Sequence, residues 1–221
     1  MNDAHRRRMD KIDRERVFLT DNAADFPRDS PVDRLSVLIN AKAAEAVTRD
    51  AELLSALGDK AQAMALKGDR RDLLIEEFKD VIMGARAIGD AVVPGITSKF
   101  KVPEPRTEQN LIAGADSFHA DTAPPLEEKL IEAGLDADFR QNILNAKTAF
   151  QQARDDADSA TEEHGEAVGA HEALFREMME LSRQRSALVQ LKYKNDPGKL
   201  AAWAIASHLE QPPKKKPAPT P

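Results

Sequence analysis

The chain has 221 residues, a formal net charge of -6 at pH 7, no cysteine and only 5% aromatic residues. The absence of cysteine excludes disulfides, thiolate metal sites and a thiol nucleophile, and the alternation of acids with bases indicates a solvated helical surface rather than a nucleic-acid-binding one. Strand-like runs of Val, Ile, Thr and Tyr are also missing, so the composition predicts an all-α protein with a core of Ala, Leu, Ile and Met.

The first predicted element is a short helix over residues 3–20 whose apolar positions are Met9, Ile12, Phe18 and Leu19. No apolar segment follows the arginines at 6–8, and no stretch of the chain approaches the ~18 consecutive apolar residues that a membrane span needs. We therefore expect neither a signal peptide nor a membrane-spanning helix, and a cytoplasmic location.

A long helix is predicted to begin at Ser30 and Pro31, because a serine caps free backbone N–H groups and a proline fits the first helical turn. Apolar or small residues then recur at spacings of three and four, forming a stripe that should face a partner helix. The stripe consists of Leu35, Ile39, Ala43, Ala46, Leu53, Leu57, Ala61 and Met64. A glycine followed by aspartate, at 58–59 and again at 68–69, can break or kink this helix before it ends around Gly89.

Residues 90–135 contain most of the mid-chain prolines and are predicted to form a connector. We expect two or three short helices in it. One begins at Thr107 and Glu108, and another runs from Pro124 to Ala133 before Gly134.

The second long segment follows a heptad rhythm, which indicates a coiled-coil seam. The seam positions are Phe139, Ile143, Ala146, Phe150, Ala153, Ala157, Ala160, His164, Ala167, His171, Leu174, Met178, Leu181 and Leu188. The heptad pattern continues in the same phase through Gly165 and Gly169, and no helix-capping residue lies between Gly165 and Leu174. We therefore predict one continuous helix from about Asp136 to Tyr193, roughly 90 Å long.

Together these elements predict an elongated antiparallel helical bundle or coiled coil of long helices with short connector helices. A compact four-helix bundle with two hairpins is the alternative. The predicted layout is an N-terminal helix and linker over 1–29, a helical bundle over 30–195, a docking helix over 196–210 and a disordered Pro/Lys tail over 211–221.

The two long segments resemble each other. Residues 39–51 align without gaps with residues 144–156, including an Asn-Ala-Lys match. An internal duplication of 31–89 in 136–194, joined by the connector 90–135, is therefore a hypothesis, although Ala-rich helices also match by chance.

His164 and His171 are the candidate metal ligands, because both lie on the apolar seam. They are seven residues apart, or ~10 Å along a helix, which is too far for one shared ion without further ligands. The paired Glu-x-x-His motifs of di-metal bundles are missing. We therefore favour partly buried, hydrogen-bonded histidines over a metal site.

Basic residues mark both ends of the chain, at 6–8 and 214–216. Nucleic-acid binding would normally add a reading helix or interleaved aromatics, which neither end has, so we expect solubilising ends. The Glu cluster at 162–172 is interpreted in the same way, as an exposed helix face.

Trp203 is the only tryptophan and shares a helix face with Leu200. Tryptophan often anchors interfaces between proteins. On a short amphipathic helix, however, it more often docks that helix onto its own bundle, and we favour that interpretation.

Three short patterns lie far apart in the sequence and carry no catalytic chemistry. They are Phe26-Pro27 after the first helix, the Ser30-Pro31 helix start, and the late run of Asp196, Pro197, Leu200 and Trp203 before a Pro/Lys tail. In this combination the chain resembles a group of bacterial helical proteins without an assigned activity. The resemblance implies a bacterial, cytoplasmic, all-α protein and assigns no site.

The sequence favours a non-enzymatic interaction or scaffold protein that associates with itself or with another protein. The candidate interface residues are Trp203, Leu200, Ala153, Ala157 and Ala160. No P-loop, dinucleotide fingerprint, HExxH or G-x-S-x-G motif occurs, so no catalytic residue and no cofactor is predicted. A metal- or ligand-binding four-helix bundle, and weak nucleic-acid binding through the basic termini, are the alternatives.

Overall fold

The structure is a computed structural model that describes residues 3–210. Its helices are α1 (Asp3–Asp21), α2 (Pro31–Ile88), α3 (Ile96–Lys99), α4 (Glu108–Asp121), α5 (Leu126–Glu132), α6 (Phe139–Lys192) and α7 (Pro197–Ala206), with a 3-10 turn at Ala23–Asp25. No strand occurs among the described residues, and the all-α prediction is confirmed. The tail predicted at 211–221 lies outside them.

The predicted start and stop residues act as local chemistry requires. The Ser30 hydroxyl accepts a hydrogen bond from the Asp33 amide at 3.2 Å, and the Thr107 hydroxyl caps α4 through the Asn110 amide. Asp196 caps α7 in the same way. At the other end of α2, Gly89 has a φ of +72°, a left-handed conformation that ends a helix at little cost for glycine.

Both long helices are continuous. α2 runs through Gly58 and Gly68, and α6 runs through Gly165 and Gly169. The prediction of one helix from about Asp136 to Tyr193 is therefore confirmed, and the alternative with two hairpins is wrong. A broken α2, which the sequence left open, does not occur either.

The chain divides into two compact units. Unit 1 holds the described parts of Met1–Ser55 and Gly165–Pro221, and unit 2 is Ala56–His164. The proposed duplication of 31–89 in 136–194 is a separate question and stays a prediction.

Unit 1 packs α1, the first part of α2, the last part of α6 and α7 around two apolar clusters. One cluster is built on Ile12, Ile39, Ala46, Leu174, Phe175 and Met178, and the other on Val32, Val189, Tyr193 and Trp203. Here α2 and α6 are antiparallel, because Ser36 pairs with Arg185 and Lys42, six residues later, pairs with Glu177, eight residues earlier.

Unit 2 packs the rest of α2, the short helices and the first part of α6 around one larger core. The core is centred on Leu74, Phe78, Leu111, Phe118, Ile143 and Phe150, all 5% exposed or less. Three phenylalanine rings meet in it, since Phe118 lies 4.6 Å from Phe78 and 5.3 Å from Phe100 between ring centroids. The proline-rich connector is thus part of a packed unit.

Candidate functional site

Trp203 and Leu200 fasten α7 to unit 1. Trp203 is 1% exposed, its indole nitrogen donates a hydrogen bond to the Ser186 hydroxyl on α6 at 2.9 Å, and half-buried Leu200 packs in the same cluster. Trp203 therefore packs α7 against α6 of its own chain, which is the arrangement that the favoured interpretation describes.

The alanines of the predicted interface are mostly used inside unit 2. Ala153 and Ala157 are 3% and 0% exposed, while Ala160 is half-buried. An interface on these residues needs apolar surface that Ala153, Ala157 and Trp203 do not expose, so the prediction that they contact a second chain gains no support.

His171 lies buried beside α1, in contact with two other rings. Its ring centroid is 4.7 Å from that of His5 and 5.1 Å from that of Phe175, both edge-on. Burial, and then the charge of His5, lower the pKa of His171. The backbone of Ala46 and the carboxylates of Asp50 and Glu172 raise this pKa, but by less. These effects together favour the neutral form of His171 in the folded chain.

Glu172 ties α6 to the start of α1. Its carboxylate lies 2.8 Å from Nε2 of His5 and accepts a hydrogen bond from Arg8 at 3.3 Å. Burial raises the pKa of Glu172, but the bonds to His5 and Arg8 outweigh it and hold that pKa below its usual value. Two arginines of the basic N-terminus are therefore paired within the chain, Arg8 with Glu172 and Arg6 with Asp3 at 3.9 Å. The lysines at 214–216 lie outside the described residues.

The structure does not assemble a metal site from the predicted histidines. His164 is half-buried, and its Nδ1 is buried without a hydrogen-bond partner among the described residues. Within residues 3–210 no group of three or more His, Asp or Glu side chains is arranged to hold a metal ion. The metal-binding alternative stays a prediction without a ligand group to support it.

A buried ion cluster that the sequence did not predict joins α1 to α6. Glu15 is fully buried and accepts hydrogen bonds from Arg185 Nη2 at 2.5 Å, from Lys11 Nζ at 2.7 Å and from the Ser182 hydroxyl. Arg185 also donates to the Ser36 hydroxyl on α2 at 3.2 Å. Because every charge in the cluster has an opposite partner, it holds three helices in one relative position.

Two positions in the sequence could have indicated this cluster. Glu15 lies three residues after Ile12, on the apolar side of an otherwise polar helix, where an exposed carboxylate is not expected. Arg185 breaks the α6 seam between Leu181 and Leu188 in the same way. Neither position by itself identifies its partner.

The clearest exposed apolar surface of unit 2 lies on α2. Between Ala56 and Leu73 no residue of this helix is buried, and Leu57 and Met64 are 49% and 48% exposed. Between Leu57 and Gly68, six exposed residues, all apolar or small, lie within about 60° of Ala61 around the helix, counted at ~100° per residue. We call them the α2 stripe: Leu57, Gly58, Ala61, Met64, Ala65 and Gly68.

The α2 stripe corrects a prediction from the sequence. The apolar pattern was expected to face a partner helix as far as Met64, but inside the chain it is covered at Ile39 and Ala46 and exposed at Leu57, Ala61 and Met64. The covered positions instead continue the seven-residue repeat from Ile39. They are Ala46, Leu53, Lys60, Lys67, Leu74 and Val81.

The two lysines explain the difference. At these covered positions a lysine can bury its aliphatic stem and keep its ammonium group outside or paired. Lys67 does so, with a side chain 17% exposed and its ammonium 2.5 Å from Glu108. Such positions lack an apolar residue in the sequence, so the apolar pattern follows the neighbouring exposed stripe instead.

Comparisons with known proteins identify no family for this chain. In the described part of the chain, no helix has the length and apolar character needed to cross a bilayer. No protein-family model, no curated protein and no solved structure matches the chain.

Proposed function

We propose that this chain is a non-enzymatic helical interaction protein that pairs with a second copy of itself through the α2 stripe. The observation that carries the proposal is the exposure of a purely apolar and small-residue face on a continuous helix. Exposing such a face to water is unfavourable, so covering it with a partner lowers the free energy. Helices with small residues in the seam can also approach each other closely.

The order of residues in the stripe supports self-pairing. In an antiparallel pair with a twofold axis at Ala61, positions whose numbers add to 122 face each other, because each copy presents the same surface. Leu57 then faces Ala65, and Met64 faces Gly58. Every large side chain therefore meets a small one. The space beside Gly58 is open in the chain itself, because a Cβ added there would have no neighbour within 4 Å.

The direct test replaces the large residues of the stripe with charges. We expect the double variant Leu57→Glu, Met64→Glu to be monomeric under conditions in which the unaltered chain has twice its formula mass, because two charges per copy would be buried without partners. The masses are measured by light scattering during size-exclusion chromatography, with circular dichroism to verify unchanged helix content.

The matched control is Leu66→Glu, Leu73→Glu. Leu66 and Leu73 are also exposed apolar residues of α2, at 41% and 51%. Leu66 lies nine residues after Leu57, and therefore about 180° around the helix. The control should keep the dimeric mass. A monomeric unaltered chain, or equal loss of dimer in both variants, would reject the α2 stripe as the interface.

A further inference from the structure

An open cleft of about 1040 Å³ lies within unit 2, separate from the α2 stripe. Three arginines line it from three parts of the unit: Arg71 from α2, Arg106 from the segment before α4, and Arg154 from α6. The neutral polar side chains of Thr107, Gln109 and Gln151 line it as well. We propose that this cleft binds a small molecule through a diphosphate group.

The two carboxylates of the cleft are held mainly by lysines, and Glu108 also acts on one of the arginines, Arg154, through its charge. Glu108 and Asp116 also line the cleft, but each is held by a lysine at 2.5 Å, Glu108 by Lys67 and Asp116 by Lys147. Within each pair, the lysine compensates the charge of its carboxylate. Of the three arginines, only Arg71 has no carboxylate partner among the described residues, and its charge is left to face the cleft.

The arginines themselves are paired only with close neighbours in the chain or not at all. Arg106 contacts Glu104 at 3.1 Å and Arg154 contacts Asp155 at 2.6 Å, and all of these side chains are partly exposed. Within residues 3–210, half-buried Arg71 makes no hydrogen bond or ion pair. Its five N–H donors are available to a ligand.

The chemistry of this donor set favours phosphate. A guanidinium group is planar, stays charged, and matches the oxygens of a phosphate with two parallel hydrogen bonds. A diphosphate presents its oxygens over a longer span than one phosphate does, so it can reach guanidinium groups that line the cleft from three parts of the unit. The volume is at the upper end of that of small-molecule sites, which is enough for a ligand of nucleotide size.

Calorimetric titration of the full chain with inorganic pyrophosphate tests the proposal. We expect saturable binding at low ionic strength, at least tenfold weaker affinity in the variant Arg71→Gln, Arg154→Gln, and weakening with added salt. Arg71→Lys, which keeps the charge but loses the paired donors, should lie between the two. The control Arg86→Gln removes an exposed arginine of α2 that does not line the cleft and should bind as the unaltered chain does.

Three results would overturn the proposal. The first is no heat of binding with millimolar pyrophosphate, and the second is equal affinity in all four proteins. The third is a single-stranded oligonucleotide that binds more tightly than pyrophosphate and is displaced by it, which would assign the cleft to nucleic acid. A dimer that binds no pyrophosphate would leave the proposed function standing, because the α2 stripe and the cleft are tested by different variants.

Discussion

At the scale of single residues, Glu15 is the shared anion of the buried ion cluster. It is completely buried and has two cationic partners, Lys11 and Arg185, on two different helices. Taking a carboxylate out of water costs several kcal/mol unless opposite charges and hydrogen bonds compensate it. Removing the shared anion therefore leaves two uncompensated cations, whereas removing Arg185 leaves Glu15 with Lys11.

We predict that Glu15→Gln destabilises the protein by about 3–5 kcal/mol, and more than Arg185→Met does. Free energies of unfolding from urea denaturation give both values. The control Glu76→Gln removes the exposed partner of Lys79 and should cost less than about 1 kcal/mol. Equal and small losses in all three variants would show that the buried cluster adds nothing specific.

His171 makes stability depend on pH. Its pKa in the folded chain lies below the usual value of 6.5, mainly because it is buried. Below pH 6.5 the unfolded chain therefore binds a proton that the folded chain does not, and stability falls as the pH is lowered. The carboxylate of Glu172, whose folded pKa is also lowered, adds a loss only at pH values near and below 4.5.

We expect the unfolding free energy to fall between pH 7.5 and pH 5.5, by at most about 1.4 kcal/mol from this histidine. The decrease should be smaller in His171→Phe, whatever the absolute stability of that variant. His208→Gln, which replaces an exposed histidine, serves as the control. An unchanged pH dependence in His171→Phe would show that this residue titrates alike in both states.

At the scale of elements, α6 continues through two glycines that its surroundings do not require. Around Gly165 and Gly169 an added Cβ would have no neighbour within 4 Å, and neither has a positive φ. Each glycine costs about 1 kcal/mol relative to alanine inside a helix.

Gly165→Ala and Gly169→Ala should therefore each stabilise the protein by about 0.5–1 kcal/mol, measured by thermal unfolding. Gly114→Ala in α4 should do the opposite, because its Cβ would lie 2.4 Å from a ring carbon of Pro103. Destabilisation by both α6 substitutions would indicate a turn at these glycines instead of a helix.

Elements were the most predictable feature of this chain. Heptad phase and local capping depend on neighbouring residues only, and Ser30, Thr107 and Asp196 all cap helices as their sequence context predicts. The buried side of α2 was less predictable, because Lys60 and Lys67 occupy covered positions that apolar patterning does not recognise. The partners Glu15 and Arg185 were missed because only packing brings together residues that are 170 positions apart.

At the scale of the whole molecule, each unit has a core of its own. Phe175 belongs to a core cluster of unit 1, and Phe150 belongs to the core of unit 2. The α2 stripe belongs to neither core, which is why its apolar residues are available to a second copy. The proposed dimer therefore depends on one contact, Ala61 against Ala61, at the proposed twofold axis.

Disulfide trapping at Ala61 measures that contact most directly, and the chain has no cysteine of its own to interfere. A disulfide needs two Cα atoms within roughly 7 Å, a separation that only the residue at the axis of such a pair meets with its own copy. After mild oxidation, Ala61→Cys should become mostly covalent dimer on a non-reducing gel at micromolar concentration, while Leu66→Cys stays mostly monomeric. If Ala61→Cys forms dimer no faster than Leu66→Cys, the proposed pairing through the α2 stripe is wrong.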